Sequence, residues 1–127
     1  MNPAVNPAAT STERAVAPAE AVPRSFAEFW PHYVRAHSLP ATRAFHFAGT
    51  LLGYSLLIAA FVTQRWWLIP AALLAPYPVV WFSHFFVEHN KPATFGHPLW
   101  SWLGDQKMVG MMLAGKMTAE VERLSSR

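Results

Sequence analysis

Arg65 is the only charged residue between Arg43 and Glu88, and it divides an uncharged run of 21 residues, Ala44 to Gln64, from one of 22, Trp66 to Val87. At 1.5 Å rise per residue, each run is long enough as a helix to cross a hydrocarbon core of roughly 30 Å. The link Thr63-Gln64-Arg65 allows only a tight reversal, so the two spans must lie side by side and antiparallel. In a chain of 127 residues with 53% hydrophobic and only 13% charged residues, too little amphipathic sequence remains to bury both runs in water. The expected fold is therefore all-α: an integral membrane hairpin of two transmembrane helices, flanked by amphipathic interfacial helices.

The flanks support this reading. Phe26, Phe29, Trp30, Tyr33, Val34 and His37 recur at helical spacing and form one apolar stripe. Ser25 and Glu28 have capping-box spacing at its start, with Pro31 as a rival first-turn position. After the hairpin, a second flanking helix is expected from Pro98, mixing Trp100, Trp102, Met108, Met111 and Met112 with Asp105 and Lys107. In the second span, Pro70, Pro76 and Pro78 cannot donate to a helical ladder, which predicts a kink or break near Ala75 to Pro78 and a helix that lines something. Residues 1–24 are rich in Ala, Pro, Ser and Thr without apolar period. They read as a disordered tail rather than a signal peptide, and Glu13 and Glu20 argue against a mitochondrial presequence. One domain over residues 25–117 is expected, followed by a C-terminal tail, 118–127.

Four of the ten basic residues precede the hairpin and five follow it, with Arg65 alone at its tip. The positive-inside bias then puts both termini in the cytoplasm, in a bacterial inner membrane, with Trp66 and Trp67 at the far interface. The basic residues are scattered singly, so the net charge of +3 does not imply a nucleic-acid partner. The expected partner is a membrane lipid or fatty acid, and the lipid-facing sides of the hairpin offer a surface for oligomerisation. There is no Cys, which excludes disulfides, thiolate metal sites and cysteine nucleophiles. No phosphate loop, nucleophile elbow or dinucleotide fingerprint is present.

Chemistry is left to six histidines, His32, His37, His46, His84, His89 and His97, all of which fall at one end of an antiparallel hairpin. Gly49 and Gly53 share a helical face with His46, and such a small-residue face is where a second helix approaches closely. His46 therefore points at its partner helix. Tyr77, Trp81, His84 and Glu88 share a face of the second span, with His84 and Glu88 one turn apart. Ionisable groups at membrane depth are costly unless paired or functional. Convergence of His37, His46 and His84 with Glu88, and His89 as a possible additional ligand, points to a metal site. Imidazole and carboxylate without thiolate suit Fe(II), Mn(II) or Zn(II). Two other readings stay open: a haem carrier with His46 and His84 as axial ligands, and a non-catalytic hairpin that only anchors its flanks.

The strings FAEFWPHYVRAHSLPATRAFHFAGT and WFSHFFVEHNKPATFGHPLWSWLGD resemble the Mpo1-like family, small membrane proteins typified by the fungal 2-hydroxy fatty acid dioxygenase of α-oxidation. The resemblance covers Phe26 to Leu113. The family's recurring histidines fall on His37 and His46, and its His-x-x-x-Glu before a Pro falls on His84 and Glu88, ahead of Asn90-Lys91-Pro92. The resemblance implies Fe(II) as cofactor, O2 as co-substrate, and a 2-hydroxy long-chain fatty acid shortened by one carbon. Arg43 and Lys91, at the cytoplasmic ends of the spans, are then candidates to pair with the substrate carboxylate.

Overall fold

The computed structural model describes residues 22–126, so the tail expected over 1–24 lies almost wholly outside the described residues. The order is α1 (Phe26–Ala36), α2 (Pro40–Thr63), α3 (Leu68–Leu74), α4 (Pro76–Phe82), a π-helical turn (Ser83–Glu88), a 3-10 turn (Ala93–Phe95), α5 (Pro98–Leu113) and α6 (Met117–Ser125). No strand occurs among the described residues.

The hairpin forms as the hydropathy pattern requires. Pro40–Thr63 and Leu68–Glu88 are both long and apolar enough to cross a membrane, and only 22% of each apolar window is buried by protein. A core helix of a soluble protein would be mostly covered; here Leu51, Ile58, Phe61, Val62, Leu74 and Phe86 stand exposed, which is stable only if lipid covers them. Gln64 ends α2 in the left-handed conformation, φ 55°, and starts the reversal. The helices close through the small-residue face: a Cβ on Gly53 would lie 3.1 Å from Ala72 O and Pro76 Cγ, and one on Gly49 3.2 Å from Val80 Cγ1. The second span carries its interruption at Ala75, within the stretch where a kink or break is expected, although Ala75 N still donates to Ala71 O at 2.8 Å and only Pro76 and Pro78 withhold donors. Ala75 itself keeps right-handed helical angles, so the chain direction carries on through the break.

At the other end, α1, α5 and α6 fold over the hairpin. Ser25 caps α1, its Oγ accepting from Glu28 N at 3.2 Å, while the Glu28 carboxylate accepts from Arg24 N rather than from the cap residue. Pro31 sits inside the first turns of that helix rather than at its start. The stripe of α1 buries Phe29, Trp30, Tyr33 and Val34 against Met108, Met117 and Leu124. Each such side chain removed from water contributes about 1.5–3 kcal/mol. The flanking helices therefore pack on one another as well as on the hairpin. Residues 118–125, set apart by the sequence pattern as a tail, lie in α6, whose Glu120 accepts from Trp30 Nε1 at 2.8 Å. The turn from α5 to α6 is a Schellman motif, with Gly115 at φ 70° and Lys116 N donating to Met111 O at 2.8 Å.

Candidate metal centre

Three histidines meet where α1, α2 and the π-helical turn come together. His37 follows α1, His46 lies one and a half turns into α2, and His84 is carried by Ser83–Glu88, where a widened turn interrupts the α ladder. Such π-turns recur at functional sites because they re-aim a side chain without ending the helix. All three rings are buried. They stand almost perpendicular to one another, with centroids 4.3, 4.5 and 4.9 Å apart.

The outward ring nitrogens fix the inward ones. Nδ1 of His37 donates to Tyr33 O at 2.6 Å, and Nδ1 of His46 donates to Thr42 O at 2.9 Å. Nδ1 of His84 faces Asn90 Oδ1 at 2.7 Å, and Asn90 Nδ2 donates to Ala36 O at 3.1 Å, which settles which way the amide points. Each acceptor oxygen requires the proton on Nδ1, so each neutral ring presents a bare Nε2 lone pair to the centre. Those nitrogens crowd together: His37 Nε2 is 2.9 Å and His84 Nε2 3.2 Å from His46 Nε2. Lone pairs facing one another repel, and a shared cation would relieve them. Ligands at right angles on metal–nitrogen bonds of about 2.1 Å lie about 3.0 Å apart, and tetrahedral ligands about 3.4 Å. The two observed spacings, 2.9 and 3.2 Å, fall in the range of nitrogens that share one metal ion. Burial pushes His37 well below the usual imidazole range, with the neighbouring His46 and His84 acting in the same direction, so it stays neutral and able to ligate. Perpendicular imidazoles this close leave no slot for a porphyrin between His46 and His84.

The structure brings together His37, His46 and His84, whose ligand atoms all lie within 4.8 Å of one another, and no other described residue joins that group. The Glu88 carboxylate instead accepts from Leu39 N at 2.8 Å, fastening the end of the second span to the residue before α2, which has no side-chain cap of its own. His89, left-handed at φ 57°, ends the π-turn and is exposed. Arg43 is buried, and its guanidinium donates to His37 O at 3.0 Å and Ser38 O at 2.7 Å, holding the loop between α1 and α2. Lys91 is exposed. His97 stacks on Trp100, and His32 pairs with Arg35, both away from the cluster.

Asp105 of α5 is the residue that sequence reasoning passed over. Its Oδ1 lies 3.9 Å from His46 Nε2 and accepts from the Tyr33 hydroxyl, and Tyr33 stacks on His37 with centroids 3.9 Å apart. Burial raises its carboxyl to about 7 against the opposing pull of the Tyr33 hydrogen bond, and burial likewise raises the Tyr33 phenol well above its ordinary value. A lone acid in an otherwise apolar stretch was the available signal. Gly104 beside it is required, because a Cβ there would sit 2.8 Å from the Tyr33 ring.

Among families of known proteins, the one described as 2-hydroxy-palmitic acid dioxygenase Mpo1-like matches residues 23–117. No curated protein and no solved structure matches the chain.

Proposed function

This chain belongs to the Mpo1-like family, and from that premise we propose that it is a membrane-embedded, Fe(II)-dependent enzyme that uses O2 to shorten a long-chain 2-hydroxy fatty acid by one carbon. The observation that carries the reading is the trio of inward Nε2 atoms on His37, His46 and His84. These residues would hold the metal, and three protein ligands without thiolate suit the Fe(II) of a non-haem oxygenase. Bound iron supplies a place where O2 and the 2-hydroxy carboxylate meet. The reaction balances without an added reductant: R–CHOH–COOH and O2 give R–COOH, CO2 and water.

The chain's own groups do the positioning. Tyr33 O, Thr42 O and Asn90 Oδ1 hold each imidazole in its ligating tautomer. Asp105, whose Oδ1 lies 3.9 Å from His46 Nε2, is the carboxylate that would act beside the bound metal. Glu88 acts through Leu39 N, by holding the two spans in register. Exposed Lys91 meets the substrate carboxylate at the interface, while Arg43 serves the α1–α2 loop. With both termini in the cytoplasm of a bacterial cell, the centre sits at the inner face of the inner membrane, where the carboxylate end of a lipid reaches it and the tail stays in hydrocarbon.

The test is direct. Protein purified in detergent without oxygen and with iron supplied should hold one iron per chain and, given O2, convert 2-hydroxypalmitate to pentadecanoate, read by mass spectrometry. Wild-type protein without stoichiometric metal would sink the proposal.

A further inference from the structure

A narrow cavity of about 110 Å³ runs between α2, the α3–α4 span and α5. At roughly 10–15 Å³ per water-sized probe, this is room for a chain segment of several heavy atoms. Asp105 and Gln106 form one end, and that end adjoins the metal centre through the 3.9 Å approach of Asp105 to His46. Leu57 and Leu73 form the other. From the level of His46 to that of Leu57, 11 residues of α2 advance about 16 Å into the hydrocarbon region. Small or apolar residues make the walls between, Gly53 and Ala72 among them. Tyr54, Leu73 and Trp102 along its margin are exposed, so it opens sideways toward lipid. The Tyr54 hydroxyl donates to Gln106 Oε1 across this margin and ties α2 to α5.

We infer that this slot is the acyl-chain site for the fatty-acid substrate, holding the tail against Gly53 and Ala72 and delivering its 2-hydroxy end to Asp105 beside the histidines. The inference rests on the substrate class proposed above, and its occupant is a free 2-hydroxy fatty acid rather than a phospholipid tail. The slot, at about 110 Å³, admits a single chain and leaves no room beside it for the glycerol and second tail of a phospholipid. A 2-hydroxyl donates to Asp105 or Gln106, and the apolar walls accept the tail without leaving a polar group unpaired.

Wild-type holoprotein in phosphatidylcholine nanodiscs would be photolabelled with 2-hydroxypalmitate carrying a mid-chain diazirine. Label should fall on residues 53–57 and 72–73 and be displaced at least fivefold by excess unlabelled 2-hydroxypalmitate. Label spread evenly over the lipid-facing Ile58, Phe61 and Phe86, or equal labelling of the slot by a diazirine phosphatidylcholine, would overturn the inference. Ala72→Phe should plug the slot, lowering turnover of 2-hydroxypalmitate at least tenfold while 2-hydroxyoctanoate stays within about twofold and bound iron is unchanged. Leu73→Trp, at the exposed margin, gives the same contrast in smaller degree if Ala72→Phe does not fold. Unchanged chain-length preference in a folded plug variant would count against the site. Displaceable slot labelling without pentadecanoate formation would refute the catalytic reading alone, and turnover without displaceable label would refute the slot alone.

Discussion

The two ends of the hairpin are built on opposite principles. Toward Arg65 the helices touch through Gly53, Ala72 and Pro76, and their outer faces carry Ile58, Phe61, Val62 and Leu74 bare to the surroundings. Nothing there needs a partner beyond lipid and the other helix. Toward the termini, a buried cluster of His37, His46, His84, Ser83 and Thr42 sits under α1, α5 and α6. Two spans alone would leave those polar groups facing hydrocarbon at a cost of several kcal/mol. The cap supplies what they lack: the Tyr33 and Ala36 carbonyls, the Tyr33 ring and the Asp105 carboxyl. A membrane hairpin can thus be held by close packing over most of its length and still carry a polar site, provided further helices roof that end.

Substitutions that touch one end and spare the other test this division. The largest effect is expected from His84→Ala, which should remove most bound metal, by elemental analysis, while protease protection shows both spans still inserted. Loss of insertion would mean that the polar end is structural for the hairpin. Next comes Asn90→Ala, which frees the His84 tautomer and the tie to Ala36 O; metal affinity should fall about 10- to 100-fold in competition with a chelator. Two alanines then make a matched pair. Gly104→Ala drives a methyl into the Tyr33 ring and Gly53→Ala drives one into Ala72 O, and each should lower stability by about 1–3 kcal/mol in detergent unfolding. Only Gly104→Ala should also weaken the metal, because Tyr33 carries His37. Equal metal loss in both would erase the distinction between the ends.

The smallest effect concerns α6. Hydrogen bonds from Arg123 and Trp30 lower the Glu120 carboxyl to about 2. A group depressed in the folded state contributes stability that is fully present above its ordinary value near 4.5 and is lost as pH falls toward 2. Amide exchange in residues 117–125 should therefore quicken below about pH 4.5 while the spans stay protected, and Glu120→Gln should remove that pH dependence.

Much of this was legible without coordinates, and for identifiable reasons. Uncharged runs long enough to span a bilayer leave few options, since an unpaired backbone in hydrocarbon is prohibitive and only a helix pairs it locally. Hence the hairpin, its reversal at Arg65 and the interruption at Ala75 follow from local composition, and the Gly49–Gly53 face turns His46 inward by simple helical phase. The family's marks on His37, His46 and His84 could likewise be read in order along the chain, as could the apolar stripe of α1. Other features depend on how separate helices meet. Glu88 shares a helical face with His84, yet its carboxylate turns to Leu39 N because the loop before α2 brings an uncapped donor there. Asp105 looked like one polar residue on an interfacial helix until α5 laid it beside His46 and Tyr33. Periodicity fixes which side of one helix a residue occupies, and it is silent about the distance to a residue 59 positions away. Helix formation and membrane partitioning were thus determined by the sequence through short-range energetics. The protonated Nδ1 atoms, the crowded Nε2 atoms and the carboxyl beside them were decided by tertiary packing, which alone sets contacts between distant segments to within an ångström.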